Sequence, residues 1–192
     1  MQGLLVDKDA TIHRRSVLKL GAAGFAAAMV PSLLGGTKAA HAATNDSWRV
    51  SFRHAHTGES FNGVYRVGNK YLPEAFERLN YVLRDFRTGE VFPMDPRVLD
   101  ILSAIERKTG KPQNFEILSG YRSPKTNANL RQVSTGVAKN SFHMYGQALD
   151  ITSRDISTGN LRNVARSLRA GGVGYYPRSS FVHIDTGAVR TW

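Results

Sequence analysis

Gly172-Val173-Gly174-Tyr175-Tyr176-Pro177-Arg178-Ser179-Ser180-Phe181-Val182-His183-Ile184-Asp185 is the stretch on which the reading of this chain turns. Two short runs, 172–176 and 181–185, are separated by a Pro/Ser-rich turn, the pattern of two adjacent strands. In the second run, side chains alternate between faces. Val182 and Ile184 point one way, and Phe181, His183 and Asp185 point the other. One face is thereby assigned to a core and the other to polar chemistry.

Working outward, Gln147 to Thr152 reads as a further strand in which Asp150 interrupts an apolar run between Leu149 and Ile151. Upstream of it, Phe115-Glu116-Ile117-Leu118 reads as a strand that delivers Ser119-Gly120-Tyr121-Arg122-Ser123-Pro124 as a turn, with a short helix starting there. Leu161, Val164, Ala165 and Leu168 mark a helix that should stop at Gly171-Gly172. Asp95-Pro96 is an N-cap with proline in the first turn, followed by the stripe Val98, Leu99, Leu102 and Ile105 and a stop at Gly110. Pro73 opens another helical pattern through Phe76, Leu79, Leu83 and Phe86, ending near Thr88-Gly89. Trp48, Val50 and Phe52, then Val64 and Val67, alternate as a hairpin. Helices and strands that cluster without regular alternation predict a small single α+β domain, a mainly antiparallel sheet flanked by helices.

The first forty or so of the 192 residues read as a leader rather than as part of this domain. Arg14-Arg15-Ser16-Val17-Leu18-Lys19 precedes an uncharged stretch from Leu20 to Thr37, and Ala40-His41-Ala42 offers a small-residue cleavage site after Ala42. The paired arginines and the Gly/Ala-rich middle resemble a twin-arginine export signal, with Val17 where a Phe is usual. Gly21, Gly24, Pro31, Gly35 and Gly36 weaken the alternative of a membrane-spanning anchor. The expectation is a signal over 1–42, a working domain over 43–192, a periplasmic location and no stable membrane anchor once the signal is removed.

About eight net positive charges remain beyond residue 42. In an exported protein such charge faces anionic wall polymers rather than nucleic acid, although scattered arginines are equally those of a solvated surface. With no cysteine, thiolate nucleophiles and thiolate metal sites are excluded, which leaves histidine and carboxylates as zinc ligands.

Two of the four histidines beyond residue 42 sit in compact segments with a carboxylate nearby: Ser141-Phe142-His143-Met144-Tyr145-Gly146-Gln147-Ala148-Leu149-Asp150 and Phe181 through Asp185. A carboxylate buried at Asp150 needs a partner or a metal. Zinc on two imidazoles and one carboxylate would keep a fourth, open position for water, the catalytic rather than the structural arrangement. By itself the spacing also fits hydrogen-bonded residues with no metal. His54 and His56 share one face of the first strand; they read as surface side chains, with a ligand or base role left open. Tyr121 and Tyr145 read as packing or as substrate contacts.

Ser119 to Ser123, Ser141 to Asp150 and Phe181 to Asp185, in that order, resemble the three signature blocks of the M15 metallopeptidase superfamily. Thr57-Gly58-Glu59, Arg84-Asp85 with Thr88-Gly89, Gly171 to Tyr175 and Arg190-Thr191-Trp192 extend the resemblance to its murein endopeptidase branch. The resemblance implies that His143, Asp150 and His183 are Zn2+ ligands and that Arg122 helps polarise the scissile carbonyl. It also implies that the substrate is a peptidoglycan peptide. One departure stands out. Many members carry an acid or histidine two or three residues before the last ligand as general base, and here those positions are Phe181 and Ser180. Asp185 is the nearest candidate for that role and reads equally as a partner orienting an imidazole. Three functions follow as expectations: a zinc murein endopeptidase, a D-alanyl carboxypeptidase of the same superfamily, or a zinc-containing wall-binding module without turnover. Which cross-link is cut, 4-3 or 3-3, and the oligomeric state are not legible in the residues.

Overall fold

Alternating apolar residues build a single sheet of eight strands in the order β3-β2-β1-β4-β5-β7-β6-β8. The computed structural model describes residues 46–110 and 112–192, so the leader reading lies outside the described residues. The strands are β1 (Ser47–His54), β2 (Ser60–Val67), β3 (Lys70–Tyr71), β4 (Phe115–Ser119), β5 (Ala148–Ser153), β6 (Gly172–Tyr176), β7 (Phe181–Asp185) and β8 (Arg190–Thr191). Pairing is antiparallel except for β1 with β4 and β6 with β8. The helices are α1 (Pro73–Val82), α2 (Pro96–Thr109), α3 (Pro124–Val133) and α4 (Thr158–Leu168). This is the expected α+β domain. None of the described helices is long and apolar enough to cross a membrane.

Helix α2 follows its local code. The Asp95 carboxylate accepts the Arg97 N–H, Pro96 occupies the first turn, and Gly110 closes the helix in the left-handed region at φ 72°. Its Val98, Leu99, Leu102 and Ile105 are buried with Ile117, Leu149, Ile151, Leu161, Val182 and Ile184 in one core. Helix α2 contacts β1, β7 and α4, and α4 contacts β5, β6 and β7, so both lie on the face of the sheet to which Val182 and Ile184 point. The alternation of β7 therefore turns His183 and Asp185 to the opposite face.

Strand β4 carries an irregularity that matters to that face. Ile117 pairs with Ile151, but the next partner of β5 is Ser119 opposite Asp150, so one extra residue is inserted in β4. A β-bulge of this kind re-aims side chains, and here it sets Ser119 beside Asp150 at the point where the chain leaves the sheet.

Three local expectations are corrected. Helix α1 stops at Val82 and does not run to Thr88-Gly89, so Phe86 is outside it. The Leu83 carbonyl that would accept the Arg87 N–H in a helix accepts the Tyr121 N–H at 2.8 Å, while the Arg87 N–H is taken by the Asp85 carboxylate at 2.9 Å. Helix α4 is closed by Arg169 in the left-handed region, φ 50°, before Gly171 is reached. His56 lies in the turn past β1 and His54 is fully buried. The Nδ1 of His54 accepts the N–H groups of His56 and Thr57, and its ring meets Phe86 edge-on at 5.5 Å. Burial holds its pKa down at about 4.

Asp85 ties residues 85–87 to the start of α3. Its carboxylate, 1% exposed, accepts the backbone N–H of Ser123 at 2.9 Å as well as that of Arg87. Burial opposes its ionisation, but the hydroxyls of Thr126 and Ser123 and these N–H groups prevail and bring its pKa down to about 2. A lowered carboxyl pKa contributes stability above the ordinary carboxyl range, and that stability is lost as the pH falls toward 2. Asp85→Asn should cost about 2 kcal/mol near neutral pH, and the gap to the wild-type protein should close between pH 4 and pH 2. Urea denaturation across that range measures both.

Candidate active site

Three elements converge on the face away from α2 and α4. A single 3-10 turn, Phe142–Tyr145, presents His143; β5 presents Asp150; β7 presents His183 directly opposite Asp150 in the ladder. All three are buried. His143 Nδ1 lies 2.7 Å from the Gly120 carbonyl, and His183 Nε2 lies 3.0 Å from Asp185 Oδ2. Both oxygens can only accept, so each of these nitrogens carries a proton and donates it. The other ring nitrogens, His143 Nε2 and His183 Nδ1, face Asp150 Oδ1 at 3.2 and 2.9 Å and each other at 3.2 Å.

That triangle has the dimensions of a metal site. Bonds of about 2.0–2.1 Å in tetrahedral geometry place neighbouring ligand atoms roughly 3.3 Å apart, close to the 2.9–3.2 Å found here. Among the described residues, His143, Asp150 and His183 form the group of potential ligands that could hold a metal ion. Imidazoles anchored by a carbonyl and a carboxylate on their outer nitrogens are the usual support for such ligands. His54 and His56 are not part of the group.

The electrostatics follow from the packing. Burial works against a charged Asp150, but the His143 and His183 rings hold its carboxyl well below the usual range. Burial also works against a charged His183, yet Asp150 and Asp185 together push its pKa up to about 9. His143, entirely enclosed, is shifted down by burial.

Arg122 follows the β4 bulge and its backbone N–H donates to the His143 carbonyl at 3.1 Å. The Nη2 group lies 3.3 Å from Ser119 Oγ and 3.5 Å from Asp150 Oδ2, and Nε is buried without a partner. Burial lowers the pKa of this guanidinium, with the Asp150 charge opposing the shift.

Asp185 is fully buried behind His183. Its Oδ1 accepts from the N–H groups of Gly172 and Gly187 and from Arg190 Nη1, and its Oδ2 accepts from His183 Nε2 and Arg190 Nη2.

A cleft of about 370 Å³ opens over the triad, between the 134–141 loop and the β6–β7 hairpin. Tyr176 and Phe181, stacked at 4.4 Å, form part of its wall with Trp192, whose indole lies 5.4 Å from the His183 ring. Phe181 and Trp192 stand in segments that carry the resemblance without a role assigned to them, and Tyr176 lies just past one of those segments; their shared wall is formed only by the fold. Tyr121 proves to be packing: it is buried, stacks on Phe92 at 4.7 Å and donates to Glu90. Tyr145 is exposed.

A mainly antiparallel sheet bearing a His-Asp-His triad beneath a cleft is the architecture expected of an M15 peptidase. Residues 42–192 match the family model described as peptidoglycan L,D-endopeptidase MepK, and the chain belongs to that family. It is 41% identical over 180 residues to the peptidoglycan L,D-endopeptidase MepK of Escherichia coli K12, covering 94% of this chain and 97% of the relative. The Shigella flexneri protein of the same name gives the same figures. The probable peptidoglycan L,D-endopeptidase MepK of Haemophilus influenzae is 37% identical over 94% of this chain and 95% of its own length.

The triad geometry predicts one divalent ion per chain. Asp150→Ala should lower affinity at least 100-fold, beyond the 10–100-fold typical of lost outer-shell partners; isothermal titration with the purified protein is the check.

Proposed function

We propose that this protein is a zinc-dependent peptidoglycan endopeptidase acting in the periplasm, exported by the twin-arginine route with residues 1–42 as its signal. The observation that carries the proposal is the convergence of His143 Nε2, Asp150 Oδ1 and His183 Nδ1 under a cleft that Arg122 also lines, beside Asp150. Membership of a peptidase family and the L,D-endopeptidase names of the relatives support it. An L,D specificity favours 3-3 over 4-3 cross-links as the bond cut.

His143, Asp150 and His183 would hold the zinc, which when bound supplies a Lewis acid and lowers the pKa of water to about 7. The chain's own groups do the rest. With the ion bound, Gly120 and Asp185 would hold the two imidazoles by their outer N–H groups, leaving His143 Nε2 and His183 Nδ1 to face it. Arg122 keeps a fixed, largely desolvated cation at the cleft floor, where it stabilises negative charge developing on the scissile carbonyl oxygen. Asp185 acts as an orienting partner: both its oxygens are engaged by donors and none of its surface reaches the cleft. The aromatic wall of Tyr176, Phe181 and Trp192 gives a peptide backbone an apolar surface to lie against.

Residues 43–192, loaded with zinc and incubated with sacculi and cross-linked muropeptides, should convert dimers to monomers in a chelator-sensitive manner, followed by product mass. Release of terminal alanine alone would make the protein a carboxypeptidase. Zinc and wall binding without any product would make it a binding module. Arg122→Ala should lower kcat about 10²–10³-fold with a smaller change in KM, measured on a purified cross-linked dimer.

A further inference from the structure

We propose that Arg190 is a positioning residue of the metal centre, acting through Asp185 on His183. The inference rests on the reading that His143, Asp150 and His183 hold the ion.

Asp185 Oδ1 has three donors, of which two are backbone N–H groups supplied by Gly172 and Gly187. Oδ2 is different. Besides His183 Nε2 at 3.0 Å, its donor is Arg190 Nη2 at 2.6 Å. The backbone therefore fixes one oxygen, while the plane of the carboxylate, and with it the oxygen that aims the imidazole, is set by the guanidinium. Nη1 on Oδ1 at 3.0 Å completes a two-point fork, a geometry that a planar guanidinium imposes and an ammonium does not. Nη1 also donates to the Ala188 carbonyl at 3.2 Å, which holds the fork in place.

The surrounding backbone is shaped to admit this pair. Strand β8 runs parallel to β6 and places Arg190 beside Gly172. A Cβ on Gly172 would collide with Arg190 Nη1 and stand 2.5 Å from Asp185 Oδ2. A Cβ on Gly174 would stand 2.7 Å from the Trp192 ring, which packs against His183. Side chains are thus excluded from the two β6 positions between which the 190–192 segment reaches the metal side of β7. The Arg190 side chain is itself 38% exposed and lies across Phe142 and Trp192 at 5.0 and 4.8 Å. It is therefore a surface-accessible arm whose tip is bound to a carboxylate with no exposure at all.

The test uses the purified protein and its Arg190→Ala, Arg190→Gln and Arg190→Lys variants. Zinc affinity is read by competition with a chromogenic chelator, the visible absorption of the Co2+ form reports ligand geometry, and the melting temperature of each metal-free protein reports stability separately. Arg190→Ala should weaken zinc binding about 10–100-fold and shift the Co2+ bands. Arg190→Lys should recover part of both, because an ammonium restores charge but not the fork. Should Arg190→Ala not fold, the Gln and Lys variants carry the same comparison. Wild-type affinity and an unchanged Co2+ spectrum in the variants would overturn the inference, whatever their melting temperatures or KM. If His183→Ala binds zinc as tightly as the wild-type protein, the metal assignment itself falls and this inference falls with it, a result distinct from the first.

Discussion

A carboxylate buried in the middle of a sheet face is the constraint from which the rest of this structure follows. Asp150 sits in β5 between two core residues, Leu149 and Ile151, and its side chain is turned to the face that the helices leave free. An isolated ion there would cost several kcal/mol, so both neighbouring strands answer it. Strand β7 sets His183 directly opposite, and the bulged end of β4 sets Ser119 on the other side with Arg122 just beyond. His143 arrives from the turn before β5, closing the group to three mutually adjacent ligand atoms. The arrangement that satisfies this charge is also the group that could hold a metal ion.

Around this centre the domain divides its labour by sheet face. The α2–α4 side is a packed apolar core, specified by helix periodicity and by the inward residues of β4, β5 and β7. The opposite side is built from backbone acceptors and charge pairs. Gly120 holds His143, the Leu83 carbonyl holds the Tyr121 N–H, and Asp85 holds the start of α3. Residues 83–87, which leave α1 early, thereby fix the loop that carries Arg122. A helix continued through Phe86 would have consumed the Leu83 carbonyl that this loop requires.

The histidine side of the centre is braced from farther along the chain. Arg190 binds both oxygens of Asp185 and the Gly172 and Gly187 N–H groups bind one of them, so the last strand is coupled to His183 through one carboxylate. Residues Ser180 and Phe181 belong to the hairpin and the aromatic wall, and the acidic residue of this strand, Asp185, is buried behind His183.

Much of this was legible in the residues alone, because some structure is written locally. The alternation at 181–185, the apolar stripe and caps of α2, and the Asp150 interruption of β5 all depend on side chains within a turn or a strand, and they predicted the fold class and the faces. The resemblance singled out His143, Asp150 and His183, and the structure brings these three together. What the tertiary structure decided depends on partners far apart in sequence. Leu83 and Tyr121 end α1; the one-residue bulge pairs Ser119 with Asp150; the His54 ring is drawn under Phe86; Arg190 reaches Asp185 through a strand of two residues. Periodicity records which way a side chain points from its own segment. It does not record which distant carbonyl or carboxylate will compete for a backbone N–H, and that competition set the helix end and the loop bearing Arg122.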